Sequence, residues 1–535
     1  MRRTAVQAVQ AGTALFAAIV ILVFVYMCLR YASPIARTWD EVDFALALHR
    51  YDLLAMQPHF PGYPYFILGA SFIHRWIEDP VQALSVFNTL AALSSAIPMA
   101  LLARRITGSW DKGLLFAAFV LTSPYLWLMS ARPMSECAGI AVLWWYLWSI
   151  SAALARPKSV VRYLLPMLMF GFLMGTRLSF FPFGLALLPL WMDQYKQGGK
   201  RYKRLALSAA VFLSAQLVWV VGLALSEGTV SGFWKLSLAF VEGHFSEWGG
   251  GVTSSSMAFG PRILKLLGSN LIDHALLGRS LAAGILLGLL LLATAAGLWL
   301  RREGQRSFSS MDGDHDSPAL EKRTTSDMEY VNRSYYGWLA ACTLFYLLWA
   351  LFGQNIEKPR HIAPIAGPLL FFIYCTAINT ASSLWQDQPA KPFHRAFAIP
   401  VVIHALLLVL IAAQIVNGAN LLQRQAAEVP AVYQLHRYAS ALKEPFVLYT
   451  WEETRVLQYL EAGYEHERIF TYEYFKATAA AVAERRVLLT DHVVQGFEQQ
   501  GQHVREHVKP IAQFHSDPLF DPVYADITLY EWVEK

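Results

Sequence analysis

Three carboxylates, Asp40, Glu41 and Asp43, crowd into four residues within the run TWDEVDFALALHRYDLLAMQPHFPGYPYF. The run follows a long apolar stretch, so the cluster falls just outside a membrane. Like charges this close repel, and beside lipid they also lose solvation. A carboxylate facing inward at a bilayer edge is therefore a functional candidate, able to take a proton or hold a cation. On a helix, Asp40 and Asp43 share one face and Glu41 lies on another. The competing reading is a solvated acidic first turn that caps the helix.

Four further segments carry groups fit for chemistry. HFPGYPYF (59–66) turns at Pro61, Gly62 and Pro64 and bears His59 and Tyr63. ARPMSECAG (131–139), a short hairpin between apolar runs, holds Arg132 and Glu136. NIEKPRHIAP (355–364) places Lys358, Arg360 and His361 on the same side as Asp40, against the usual bias of cations toward the inside. Cations placed this way point to an anionic partner, because Arg grips phosphate with a planar fork and Lys supplies a point charge. Arg177, at the end of another apolar run, can join them. FVEGHFSEWGGGVTSSS (240–256) suits a flexible lid or sugar platform, and Glu242, His244 and Glu247, with His59, make a candidate set for a divalent metal.

What must position these residues is a membrane body. The 535 residues are 55% hydrophobic and only 16% charged, against about 25% charged in soluble domains. That excludes a soluble enzyme, a disordered chain and a fibre. Eleven apolar runs are candidate spans: 11–30, 81–103, 113–131, 137–154, 161–176, 180–192, 205–226, 280–300, 335–352, 362–379 and 396–416. The first reads as an uncleaved anchor, and the fifth and sixth as spans or as one re-entrant pair. With the N-terminus inside, the inner segments carry 21 Lys and Arg and the outer loops 12. That bias orients the chain in the cell membrane with its C-terminal tail outside. Nucleic acid is not indicated, since the basic excess belongs to inner loops. The expected fold is an α-helical polytopic body of about eleven spans over 1–420, with long outer loops at 31–80 and 227–279.

Residues 430–535 differ in character, with 10 Lys and Arg against 16 Asp and Glu. Strand-like runs at 445–450, 468–472, 486–490 and 527–533 alternate with helical ones, which predicts a small α/β extracytoplasmic domain. None is followed by a Gly-rich phosphate loop. The four cysteines sit in or beside apolar runs and read as small buried hydrophobes. Asp312, Asp314 and Asp316 have the spacing of an ion loop but lack its closing Glu, so 301–334 reads as a polar linker.

The order of these features resembles the GT-C superfamily of polytopic glycosyltransferases. The nearest branch is glycosyltransferase family 39 and its relatives, which include protein O-mannosyltransferases and transferases of aminoarabinose to lipid A. The resemblance rests on the outer Asp-Glu pair, the Pro-Tyr-aromatic stretch, VQALSVFNTLAALSSAIPMALLARRITG (81–108), the acidic hairpin and the late KPRHIAP segment. It covers roughly 10–420 and is strongest over 36–140. It implies transfer of a sugar from a polyprenyl-phosphate carrier to an acceptor hydroxyl on the outer face, with inversion. Asp40 then matches the general base, Glu41 completes the pair, and Glu136 matches the second acidic position. Arg360 matches the basic position near the donor phosphate, with Lys358, Arg177 and Arg132 as its neighbours. Asp43, Tyr63 and His244 fall to the acceptor side or the loops. His59 stands where relatives place a metal ligand, with imidazole in place of carboxylate, and the Pro-Pro pair common there is missing. The partners implied are the lipid-linked sugar, membrane lipid and an acceptor glycan, lipid or protein. The rival readings are a lipid or sugar transporter, for which Pro166, Gly171 and Gly175 speak, and a non-catalytic glycan-binding membrane protein.

Overall fold

The computed structural model describes residues 2–156, 158–196, 201–255, 257–309, 319–386, 395–482 and 485–533. Asp312, Asp314 and Asp316 lie outside the described residues, as does the side chain of Glu247. The chain is a multi-pass helical membrane protein with a small C-terminal sheet domain. Among the described residues, eight helical segments are long and apolar enough to cross a bilayer. A ninth crossing arises if Trp110–Leu121 and Pro124–Ser130 act together across their 71° bend. Pro124 opens the second of these helices and cannot continue the first, which accounts for the break.

The expected eleven spans are not reproduced. The run 161–176 is the helix Val160–Thr176, seventeen residues long and short for a crossing. The run 180–192 is not one α-helix: Leu178–Leu187 is a 3-10 stretch that passes into the short helix Leu188–Lys196. Pro182 and Pro189 each lack the N–H that an α-helical ladder needs, so apolar content there does not make a long helix. The bundle core is aromatic and close-packed, with Phe116 edge-on to both Trp144 and Phe371. All four cysteines are free and buried.

Two short helices on the outer side carry the first loop's chemistry. Trp39–Ala47 begins where the Thr38 hydroxyl accepts the Glu41 N–H. Pro64–His74 begins with Pro at its first position, behind Gly62 at φ +84° and Tyr63 at φ +47°. A Cβ on Gly62 would sit 2.5 Å from the Tyr51 hydroxyl and 2.6 Å from Leu223, so the turn accepts only glycine.

The tail folds as a five-stranded sheet, β1 (Phe446–Thr450), β2 (Glu465–Arg468), β3 (Arg486–Thr490), β4 (Val508–His515) and β5 (Asp526–Trp532), in the order β2-β1-β3-β5-β4. β1 is parallel to β2 and β3, while β5 runs antiparallel between β3 and β4. The second strand lies at 465–468 rather than at 468–472, and β4 is an addition to the expected set. β4 mixes polar and apolar residues and contains Pro510, which an edge strand with a register shift tolerates and a hydrophobic pattern does not reveal.

The tail does not hang free. One apolar cluster runs from Val42, Phe44 and Phe66 of the outer loop to Leu435, Leu448 and Leu488 of the tail. Polar contacts follow the same seam. Arg455 donates from Nε to Asp43 Oδ1 at 2.8 Å and from Nη2 to the Ala55 and Met56 carbonyls.

Within the tail, His492 Nδ1 lies 2.5 Å from the buried Glu453 carboxylate and 3.6 Å from Asp491. Burial opposes a charged ring, but these carboxylates raise the His492 pKa above its ordinary 6.5. Glu453 is lowered below 4.5 because the His492 bond outweighs its own burial. The imidazolium's contribution is complete below pH 6.5 and lost as pH rises through the raised value. The carboxylate's is complete above pH 4.5 and lost as pH falls through the lowered value. The tail should therefore lose resistance to limited proteolysis as pH climbs above 6.5, and His492→Gln should remove that dependence.

Candidate active site

The site forms where the bundle's outer end meets the tail. Three stretches of the body converge there: the helix Trp39–Ala47, the 131–136 hairpin and the turn at Pro359–His361. The tail closes the opposite side with Glu452 and the segment 519–524. Between them lies a cleft open to solvent.

Arg360 is the hub. Its Nη2 donates to Asp40 Oδ2 at 2.5 Å, and its Nε sits 2.7 Å from Glu136 Oε1. Lys358 Nζ approaches the same Asp40 oxygen at 3.9 Å. Glu136 is 1% exposed and also accepts from Arg177 Nη2 at 2.8 Å, while Arg177 Nη1 donates to the Ser135 hydroxyl at 2.7 Å. Burial alone would raise the Asp40 pKa. The charges of Lys358, His59, Arg360 and Arg177 override it and hold the carboxyl well below the usual range. Asp40 is thus firmly ionised, with its charge already engaged. His361 goes the other way: burial first, then Arg360, Arg177 and Lys358, depress its pKa far below 6.5 and keep the ring neutral.

The cationic turn is itself held from behind. Arg262, 1% exposed, donates to three backbone carbonyls: Nε to Leu351, Nη2 to Gln354 and Nη1 to Gly250. Asn270 Nδ2 donates to the Ile356 carbonyl, and His361 Nδ1 to that of Asn355. These bonds fix the chain on both sides of Lys358.

The other two carboxylates of the cluster have different partners. Glu41, fully buried, accepts the Arg37 N–H at 2.6 Å and the Arg132 Nε–H at 2.8 Å, and it does not line the cleft. In this arrangement Glu41 stands as the buried counter-ion of Arg132. Arg132 lines the cleft, and its guanidinium is bound by Glu41 and by the Phe520 carbonyl. Asp43 joins neither. It faces His59 Nδ1 at 3.1 Å, and Tyr63 O–H meets His59 Nε2 at 3.1 Å. Burial raises the Asp43 pKa despite His59 and Arg455.

The metal reading finds no support in this arrangement. Both His59 ring nitrogens are in hydrogen bonds, and His244 donates from Nε2 to the Gly353 carbonyl at 2.7 Å. Among the described residues, no three His, Cys, Asp or Glu gather to hold a metal. Of the expected residues, Asp40, Glu136, Lys358 and Arg360 line one cleft with their charges facing each other, and Arg177 stands behind Glu136. Sequence reasoning missed Arg37, Arg262, Gln425, Arg455 and Asp521. Arg262 carried the signal used for Lys358 and Arg360, a cation on the outer side. The tail residues carried none.

No family model and no curated protein matches the chain. Solved structures do match. ArnT from Cupriavidus metallidurans bound to undecaprenyl phosphate has a TM-score of 0.51 at 12% identity, covering 97% of this chain and 98% of that one. The same protein in the apo state gives 0.49 at 12% identity, over 98% of each chain. The Archaeoglobus fulgidus oligosaccharyltransferase in complex with zinc and sulfate gives 0.46 at 11% identity, over 88% of this chain and 67% of that one. The first likeness shows a shared fold along nearly the whole chain.

The geometry separates two neighbouring carboxylates by their effect on stability. Glu41→Gln should destabilise the protein by about 3 kcal/mol, since it strands a buried guanidinium. Asp40→Asn, at a partly exposed position on the cleft, should change the melting temperature little. Thermal unfolding of the purified protein, followed by tryptophan fluorescence, distinguishes the two.

Proposed function

We propose that the chain is a membrane glycosyltransferase that moves a sugar from a polyprenyl-phosphate carrier to an acceptor hydroxyl, with Asp40 as general base. The observation that carries this reading is Arg360 gripping Asp40 and Glu136 in one cleft, with Lys358 beside them. A base and the cations suited to a phosphate meet at one point. A polyprenyl-linked donor is supported by the undecaprenyl phosphate held by ArnT, whose fold this chain shares. The orientation read from Lys and Arg bias puts the reaction on the outer face.

At rest Asp40 is a poor base, because Arg360 and Lys358 stabilise its ionised form. A donor phosphate entering the cleft competes for both cations. As they turn to the phosphate, Asp40 loses its partners and regains basicity. The acceptor hydroxyl then gives its proton to Asp40, and its oxygen forms a bond to the anomeric carbon. The bond from that carbon to the phosphate oxygen breaks, and its electron pair leaves with the phosphate. Arg360 and Lys358 neutralise the charge that develops there. Glu136 holds Arg360 and Arg177 in place throughout. One base with no covalent nucleophile gives inversion at the anomeric carbon.

Asp40→Asn should lower sugar transfer by roughly 10²- to 10⁴-fold. The same variant should bind undecaprenyl phosphate several-fold more tightly than the wild type, because its cations have lost their internal competitor. Undiminished transfer would sink the base assignment, and unchanged or weaker lipid binding would sink the competition. Arg360→Gln should weaken undecaprenyl phosphate binding about tenfold or more, the scale of a lost charge-assisted pair.

A further inference from the structure

The cleft is lined by a second polar group besides the cationic turn. Arg37, Gln425 and Asp521 form it, each at most 4% exposed. Arg37 Nη1 donates to Asp521 Oδ2 at 3.0 Å, and Nη2 donates to the Gln425 backbone carbonyl at 2.6 Å. Three polar atoms of this trio are buried without a hydrogen-bond partner: Arg37 Nε, Asp521 Oδ1 and Gln425 Oε1. The indole N–H of Trp39, also on the cleft, is a fourth. Buried polar atoms are nearly always satisfied, and leaving one unpaired costs about 1–3 kcal/mol. Four together on one wall mark a place where hydrogen bonds remain to be made.

The chemistry of this group selects its occupant. Arg37 pairs with Asp521 and stands 3.6 Å from Glu428, and Arg132 pairs with Glu41 nearby, so the wall holds no surplus cation. A phosphate would meet the Asp521 carboxylate and gain no surplus cation. An apolar group would leave all four atoms unsatisfied. Two open donors and two open acceptors match hydroxyl groups, each of which both donates and accepts. Gln425 stands on the helix Arg395–Ala427, and Asp521 belongs to the tail, so the group exists only where tail and body meet.

We propose that Arg37, Gln425, Asp521 and Trp39 form a subsite for a neutral, polyhydroxylated group, a saccharide held beside Asp40. The inference rests on the glycosyl-transfer reading and adds a substrate class to it: the acceptor presents its hydroxyl from a sugar-like moiety. Donor phosphate and acceptor then share one cleft, which Asp40 also lines.

The test uses full-length protein in lipid nanodiscs and two probes, undecaprenyl phosphate and methyl α-D-glucopyranoside. Saturation-transfer NMR should detect the glucoside on the wild type. Gln425→Leu should reduce that signal several-fold while undecaprenyl phosphate binding changes less than twofold, which also reports that the variant is folded. Arg360→Gln should do the reverse. A cleft filled by water alone would show no glucoside signal on a wild type that still binds undecaprenyl phosphate, and that result overturns the subsite while leaving the transferase reading intact. A glucoside signal indifferent to Gln425→Leu also overturns it. If neither probe binds the wild type, the transferase reading falls and the subsite with it.

Discussion

One guanidinium holds two carboxylates, and the outer half of the molecule is arranged around that fact. Arg360 reaches Asp40 on the cleft and Glu136 beneath it. A buried charge is costly unless paired and hydrogen-bonded. Glu136 is therefore shared with Arg177, which is anchored in turn on Ser135. Two carboxylates face three cations once Lys358 is included, so the group carries a surplus positive charge. In a chain with only 16% charged residues, that surplus is a specific feature rather than background.

The surplus makes the resting site asymmetric in a useful way. Asp40 and the cations Arg360 and Lys358 are counter-ions to each other, so neither is idle and neither is free. Under the proposed reaction, the base is suppressed until an anion of higher charge displaces it. The bond to be broken is one charge-assisted contact, worth about 1.5–3 kcal/mol, which a phosphate facing two cations can replace. Under the same proposal, the arrangement keeps an ionised base beside a membrane from activating water when no donor is present.

Much of this was legible in the sequence because misplaced charge is a strong signal next to lipid. Asp40, Glu136, Lys358 and Arg360 were found that way, and they meet. The signal could not separate neighbours. Asp40 and Glu41 look alike in a one-dimensional pattern, yet a rotation of one residue along the helix sends Glu41 to Arg132 and away from the cleft. Arg37 and Asp521 stand 484 positions apart, and no local pattern links them. The span count differs for another reason. Hydropathy at 180–192 measures apolar content, whereas Pro182 and Pro189 decide whether that content can be one helix. The tail's layer class was readable from its alternation, but β4 was not, because Lys509, Pro510 and Gln513 interrupt its apolar residues.

The pairs that join tail and body say what the tail is for. A domain that only tethered an acceptor could be fastened by an apolar seam, and such a seam exists. Buried ion pairs add little stability to it, because desolvation offsets most of their attraction, but they do fix register. Here they fall on both sides of the base. Arg455 grips Asp43, three residues after Asp40, and Asp521 grips Arg37, three residues before it. The helix start that presents Asp40 is therefore clamped by the tail at two points. A general base misplaced by about 1 Å can lose much of its rate advantage. The tail thus acts as part of the frame that aims the carboxylate, and the cleft it closes is completed only when the two halves of the chain are in register.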